Sequence, residues 1–174
     1  MPLQKRVLED IARDQSISFL VRMAIRFAWS LGLRCGDIRR FRRCDIMNAS
    51  GLLCGAPAAI LRLRGARGYY KFLPLTGRNR QLRKILTQVD RPPSERIFPF
   101  SPRRLLAAIR RHGPFSGHSL RRGAATELAN SGASEKQIRD HLGHAHLETT
   151  RAYIVPNITQ RNVLRQLKIA ERLL

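Results

Sequence analysis

Apolar residues recur at intervals of three and four along most of this chain, the spacing of helices with one buried face. Residues 3–12 form a short candidate. Residues 16–31 form a stronger one, with Phe19, Leu20, Met23, Ala24, Phe27 and Ala28 on one stripe and Arg22 and Arg26 on the other face. Gly32 ends that helix and leaves Leu33 and Arg34 at a turn. A short helix over 36–42 follows, then a turn at 48–51. The period then changes. Residues 58–64 and 69–75 are strand-like and bracket Gly65-Ala-Arg-Gly68, a hairpin signal with Gly at both corners.

Helical spacing returns over 79–89 and breaks at Arg91-Pro-Pro-Ser94. Ile97-Phe-Pro-Phe100 reads as a short apolar plug. Ser101-Pro102 opens a helix to about 112, with Ser as cap and Pro at the first position, and Gly113-Pro114 ends it. Helices are predicted over 118–131, ended by Gly132, and 135–142, opened by the capping-box pattern Ser134-Glu-Lys-Gln137 and ended by Gly143. Further helices are predicted over 147–153 and 159–174, the last with Val163, Leu167, Ala170 and Leu174 on one stripe. The expected fold is α+β: mainly α-helical with one small antiparallel β-sheet.

Length makes this one domain, spanning 1–174, large enough to bury a substantial core. Charge changes the picture more. Lys plus Arg number 33 against 12 Asp plus Glu, a formal net charge of +21. Only Lys5, Lys71, Lys84, Lys136 and Lys168 are lysines, so 28 of the cations are Arg, whose planar fork fits phosphate bidentately. Genome-wide preference for Arg codons would explain that ratio but not the net charge. A polyanion, most simply nucleic acid, explains the charge. No basic amphipathic segment with a rich aromatic face points to a membrane surface. No apolar run approaches the roughly 20 residues needed to span a bilayer. Cys35, Cys44 and Cys54 are odd in number and lack a Cys-x-x-Cys spacing, so they read as free thiols in a reducing compartment. No secretory signal follows Met1, and the expected location is cytoplasmic (at the nucleoid) or nuclear.

The candidate chemistry lies in 118–153. His118 and Arg121 are one helical turn apart and share a face. The helix start near His118 adds its positive end, which together makes an anion site. His144 follows a Leu-Gly turn, and Tyr153 follows nine residues later. His141, His144 and His146 could be read as a metal cluster, but no Cys or carboxylate ligand stands at a supporting spacing. No metal or cofactor is expected. A phenol has an ordinary pKa of about 10, so attack near neutral pH needs cations beside it or a base. The anion site supplies both.

His118-Ser-Leu-Arg-Arg122, followed by Leu142-Gly-His-Ala-His-Leu-Glu-Thr-Thr-Arg-Ala-Tyr153, resembles the catalytic domain of the tyrosine recombinases, the phage-integrase family. Upstream, Ser30-Leu-Gly-Leu-Arg-Cys-Gly-Asp-Ile38 is similar to the family's first-arginine box, with Asp37 where Glu is usual. The separations of 23 residues from Arg121 to His144 and nine from His144 to Tyr153 also fit. The likeness covers about 3–174. It implies site-specific cleavage and rejoining of double-stranded DNA through a 3′-phosphotyrosyl intermediate, without ATP or metal, by a tetramer on paired sites. Arg34 and Arg121 would grip the scissile phosphate, His118 would act as general base or acid, His144 would donate a further hydrogen bond, and Tyr153 would attack.

Two departures accompany the likeness. The family's general-acid Lys belongs on the hairpin turn, where Ala66 stands here beside Arg67. Lys71, on the outgoing strand, is the nearest Lys and the candidate general acid; an Arg acting electrostatically in its place, or slow catalysis, are the alternatives. The family's helical clamp domain has no counterpart within these 174 residues. Two other functions follow from these features: a non-catalytic DNA-binding module derived from a recombinase, and a relaxing enzyme like the type IB topoisomerases. A basic RNA-binding protein would explain the charge but not the ordered set of site residues.

Overall fold

The computed structural model describes residues 1–48, 58–62, 70–74, 80–86 and 92–143. The predicted helices over 147–153 and 159–174 and the turn at 65–68 lie outside these residues. Six helices are described: α1 (Lys5–Arg13), α2 (Phe19–Ser30), α3 (Arg80–Leu86), α4 (Pro102–Arg110), α5 (Ser119–Asn130) and α6 (Glu135–Leu142). Three short strands, β1 (Ile46–Asn48), β2 (Ala58–Arg62) and β3 (Tyr70–Pro74), pair in that order, antiparallel throughout. Ile46 lies opposite Leu61, and Leu61 opposite Lys71.

Helix α2 is the hub and packs on α1, α3, α4 and α5. Its buried residues are Val21, Met23, Ala24, Ile25, Phe27 and Ala28, so apolar contact surrounds most of it. Phe27 meets the ring of Phe41 edge-on and that of Phe98 at a tilt, both at a centroid separation of 5.3 Å. Phe98 is fully buried, and the 97–100 segment plugs this side of the core. A smaller cluster, Ala125, Ala129, Ile138 and Leu142, joins α5 to α6.

Several elements differ from the sequence expectation. Helix α2 starts at Phe19, and Phe19 is 47% exposed although its spacing places it on the buried stripe. It is the first helical residue, and its side chain lies outside the core that buries Ile17 and Val21 on either side. Arg22 is not a free surface cation: its Nη1 donates to the Ala12 carbonyl at 2.9 Å and ties α1 to α2. The helix expected over 36–42 is instead two single 3-10 turns, Ile38–Arg40 and Arg43–Asp45. Asp37 accepts the Arg34 backbone N–H at 3.1 Å, and buried Asp45 accepts that of Arg42 at 2.8 Å. Phe41 and Arg42 are extended and pair with residues 95–97, the Phe41 carbonyl accepting Ile97 N–H at 3.1 Å, so the chain leaves the helical conformation between the two turns. Ser101 does precede α4 with Pro102 at its first position, but the hydroxyl makes no capping hydrogen bond. Ser134 and Gln137 form the full reciprocal box, with the Ser134 hydroxyl accepting from Gln137 N and Gln137 Oε1 accepting from Ser134 N.

Candidate active site

The site begins where α2 ends. Gly32 has φ +62°, and two backbone bonds close around it: Gly32 N–H to Trp29 O and Leu33 N–H to Ala28 O at 2.8 Å. This pair is a Schellman ending, which needs a left-handed residue and so favours glycine. It turns the chain sharply and delivers Arg34, exposed, two residues later. Asp37 fixes the start of the next turn through the Arg34 N–H bond. Its second oxygen lies 3.9 Å from Arg40 Nη1.

The second part is the start of α5. His118 is the N-cap residue and not part of the helix body, and its carbonyl accepts the Arg122 N–H at 3.0 Å. Ser119, fully buried, accepts the Ser116 N–H on its hydroxyl at 2.9 Å and so closes the turn before the helix. Arg121 is only 7% exposed, and its Nη1 donates to the Gly32 carbonyl at 2.8 Å. That bond fastens α5 to the turn that carries Arg34. A backbone bond from Cys35 N–H to the Gly117 carbonyl, 3.2 Å, joins the two segments again. Arg34, His118 and Arg121, 87 residues apart at most in sequence, therefore come from two turns locked to each other.

The electrostatics follow from that arrangement. The pKa of His118 lies below its ordinary value, because partial burial of the ring and then the charges of Arg34, Arg122 and Arg121 disfavour the imidazolium; Asp37 acts weakly the other way. The imidazole is therefore neutral at neutral pH and can accept a proton or donate a hydrogen bond. Burial, aided by Asp37, pushes the Cys35 thiol up to about 11, so it stays protonated and is no rival nucleophile. Two guanidinium groups, a neutral imidazole and a helix start around one turn can hold a tetrahedral anion and manage a proton beside it.

The other sequence-derived candidates stand differently. Lys71 is on β3, paired with Leu61 in backbone register, and its side chain is outside the described residues. His144 and Tyr153 are outside them as well. Helix α6 ends at Gly143, φ +68°, one residue before His144. The end of α6 also reaches the Arg34 turn: a Cβ on Gly32 would lie 2.5 Å from Leu142 Cδ2 and 3.5 Å from His141 Cδ2. Among the described residues no group of three His, Cys, Asp or Glu could hold a metal ion. Sequence reasoning missed the carbonyls of Gly32 and Gly117, which build the site through backbone groups that no side-chain pattern reveals. It noted Asp37 only as a departure; an acceptor three residues after Arg34 was the available signal.

Residues 4–159 match the model of the phage integrase family. The chain belongs to that family. Over 151 residues it is 24% identical to the tyrosine recombinase XerC of Chlorobaculum parvum, covering 78% of this chain and 45% of that protein. The chain thus spans less than half the length of this relative. Solved structures with a similar fold include the catalytic domain of bacteriophage HP1 integrase, at TM-score 0.58 and 15% identity, covering 85% of this chain and 80% of that one. The XerA recombinase gives a TM-score of 0.69 at 17% identity, covering 99% of this chain and 64% of that one. A lambda integrase dimer bound to a COC′ core site gives 0.60 at 19%, covering 87% and 47%. At these identities the likeness is one of fold. No described helix is long and apolar enough to cross a membrane.

Proposed function

We propose that residues 1–174 act as a tyrosine recombinase catalytic domain, which cleaves and rejoins double-stranded DNA through a 3′-phosphotyrosyl link. The observation that carries this reading is the double lock between the two turns, Arg121 Nη1 to Gly32 O and Cys35 N–H to Gly117 O. It brings Arg34, His118 and Arg121 together, and the family match over residues 4–159 includes His144 and Tyr153.

In this mechanism Arg34 and Arg121 hold the non-bridging oxygens of the scissile phosphate and stabilise the charge that builds on them. His144 donates a further hydrogen bond. Neutral His118 accepts the Tyr153 proton. The Tyr153 oxygen then attacks phosphorus, forming the Tyr–phosphate bond as the bond to the 5′-oxygen breaks. A proton from Lys71 completes the leaving 5′-hydroxyl. The reverse sequence, with a different 5′-hydroxyl as nucleophile, joins strands and regenerates the phenol. The phosphoester bond is conserved at each step, so no energy source is required. Assembly as a tetramer on paired sites is part of the same proposal, and lambda integrase, in its solved complex, binds a core site as a dimer.

A nicked duplex that loses a short fragment after cleavage traps the covalent intermediate. Wild-type protein is expected to accumulate a protein–DNA adduct, and Tyr153→Phe to form none while still binding. Lys71→Ala separates the acid assignments. It should slow cleavage of an ordinary 5′-oxygen substrate and not of one with a 5′-thiolate leaving group, which needs no proton; equal slowing of both removes Lys71 from the mechanism. The alternative of a non-catalytic DNA-binding module rests on Ala66 at the family's lysine position. Tight, salt-sensitive DNA binding with no adduct from any selected duplex would establish it.

A further inference from the structure

Helix α5 has a further attachment, made by a segment remote in sequence from the anion cluster. Leu3, completely buried, lies across α5 and α2 just before α1 begins. Its N–H donates to the Ser119 carbonyl at 2.9 Å, one residue after His118. Its carbonyl accepts Trp29 Nε1–H at 3.2 Å, from the last turn of α2. Lys5 pairs with Glu127 of α5 at 2.8 Å, two turns farther along. Gly123 makes the crossing possible. A Cβ there would collide with the Leu3 carbonyl oxygen and come within 2.8 Å of Trp29 Nε1. Leu3 thus bridges the helix that carries His118 and Arg121 to the helix whose end carries Arg34.

We propose that Leu3, Trp29 and Gly123 form a positioning strap that sets the register of α5 on α2, and with it the placement of His118 and Arg121 relative to Arg34. Two bonds within the cluster, Gly32 to Arg121 and Cys35 to Gly117, tie the turns near the ends of α2 and α5. A slide of α5 along its axis would move His118 first, since it sits at the helix end. The strap resists that slide because Leu3 holds the Ser119 carbonyl from one side and the Trp29 indole from the other. None of the three strap residues carries a group for phosphate chemistry, so they act through His118 and Arg121.

As a role in catalysis this rests on the recombinase reading; the register itself is measurable without it. Gly123→Ala displaces the strap while improving intrinsic helix propensity. Trp29→Phe removes the indole donor and keeps an aromatic ring. In each variant the His118 imidazole is titrated by NMR, and adduct formation on a nicked duplex is timed at saturating DNA alongside the Kd. The titration of His118 should move up toward its ordinary value, as the ring moves away from the Arg34 charge. The saturating rate should fall by roughly 10-fold to 10²-fold with Kd changed less than about 2-fold, the pattern of displaced catalytic groups. Wild-type titration and wild-type rate in both folded variants would overturn the strap. Where Gly123→Ala does not fold, Trp29→Phe decides alone. A wild-type protein that forms no adduct refutes the recombinase reading, and the titration still decides whether the strap sets the register.

Discussion

In the proposed chemistry His118 takes the Tyr153 proton. Its folded pKa is depressed, so as pH falls through the ordinary value of about 6.5 the unfolded chain takes up the proton first. Stability contributed by the neutral ring is complete above that value and is lost as pH drops toward the folded pKa. Arg34→Ala removes the foremost of the cations that disfavour the imidazolium, and the His118 titration should move upward. NMR of the imidazole protons checks this, and a downward or absent shift would place Arg34 away from the ring. The same cluster shows what sequence can and cannot reveal. The family resemblance singled out Arg34, His118 and Arg121, and the structure brings these three together on two joined turns. The acceptors that fix them, the Gly32 and Gly117 carbonyls, are backbone groups that every residue possesses.

At the scale of elements, helices were legible even over two turns where a glycine or a capping residue marked the ends of an apolar period. Helix α6 has both, in the Ser134–Gln137 box and Gly143. The two 3-10 turns were not legible, because the extended pairing of Phe41 and Arg42 with residues 95–97, which splits them, is a contact between segments distant in sequence. Strand β1 has only three residues, too few for any alternation to show. The periodicity of α2 also misled at its first turn, where Phe19 projects beyond the core. Two substitutions separate the roles of α2. Phe27→Ala leaves a cavity between Phe41 and Phe98 and should cost about 3–5 kcal/mol. Gly32→Ala strains a left-handed residue by roughly 1–2 kcal/mol and crowds Leu142, so it should cost less stability but more activity. Chemical denaturation of both proteins, paired with adduct formation by each, tests the contrast. A Gly32→Ala protein as active as wild type would detach the α2 turn from the site.

For the whole molecule the question is what the charge is for. A net charge of +21 invites the reading that every arginine faces phosphate. Several do not. Arg22, Arg42, Arg43 and Arg110 each donate to a carbonyl of this chain, at Ala12, Ser94, Ile85 and Phe115 respectively. Arg42 and Arg43 thereby join segments 52 and 42 residues apart as well as raising the potential. The number of phosphates neutralised should therefore be far below the number of arginines. With about 6–10 phosphate contacts, affinity for duplex DNA should fall by roughly 10³–10⁵ between 50 and 200 mM salt. Fluorescence anisotropy across that range measures the slope. A slope corresponding to most of the arginines would mean that those internal bonds open on binding, and a flat dependence would remove DNA as the partner.

Tyr153 lies beyond the described residues, and the proposed chemistry depends on it most. Trapping the protein on a nicked duplex, digesting the adduct with protease and sequencing the DNA-linked peptide by mass spectrometry identifies the residue that forms the bond. The expected product is a single peptide with Tyr153 joined to a 3′-phosphate, and a free 5′-hydroxyl on the released strand. A 5′-phosphate link, attachment at another residue, or an adduct that survives Tyr153→Phe would contradict the mechanism.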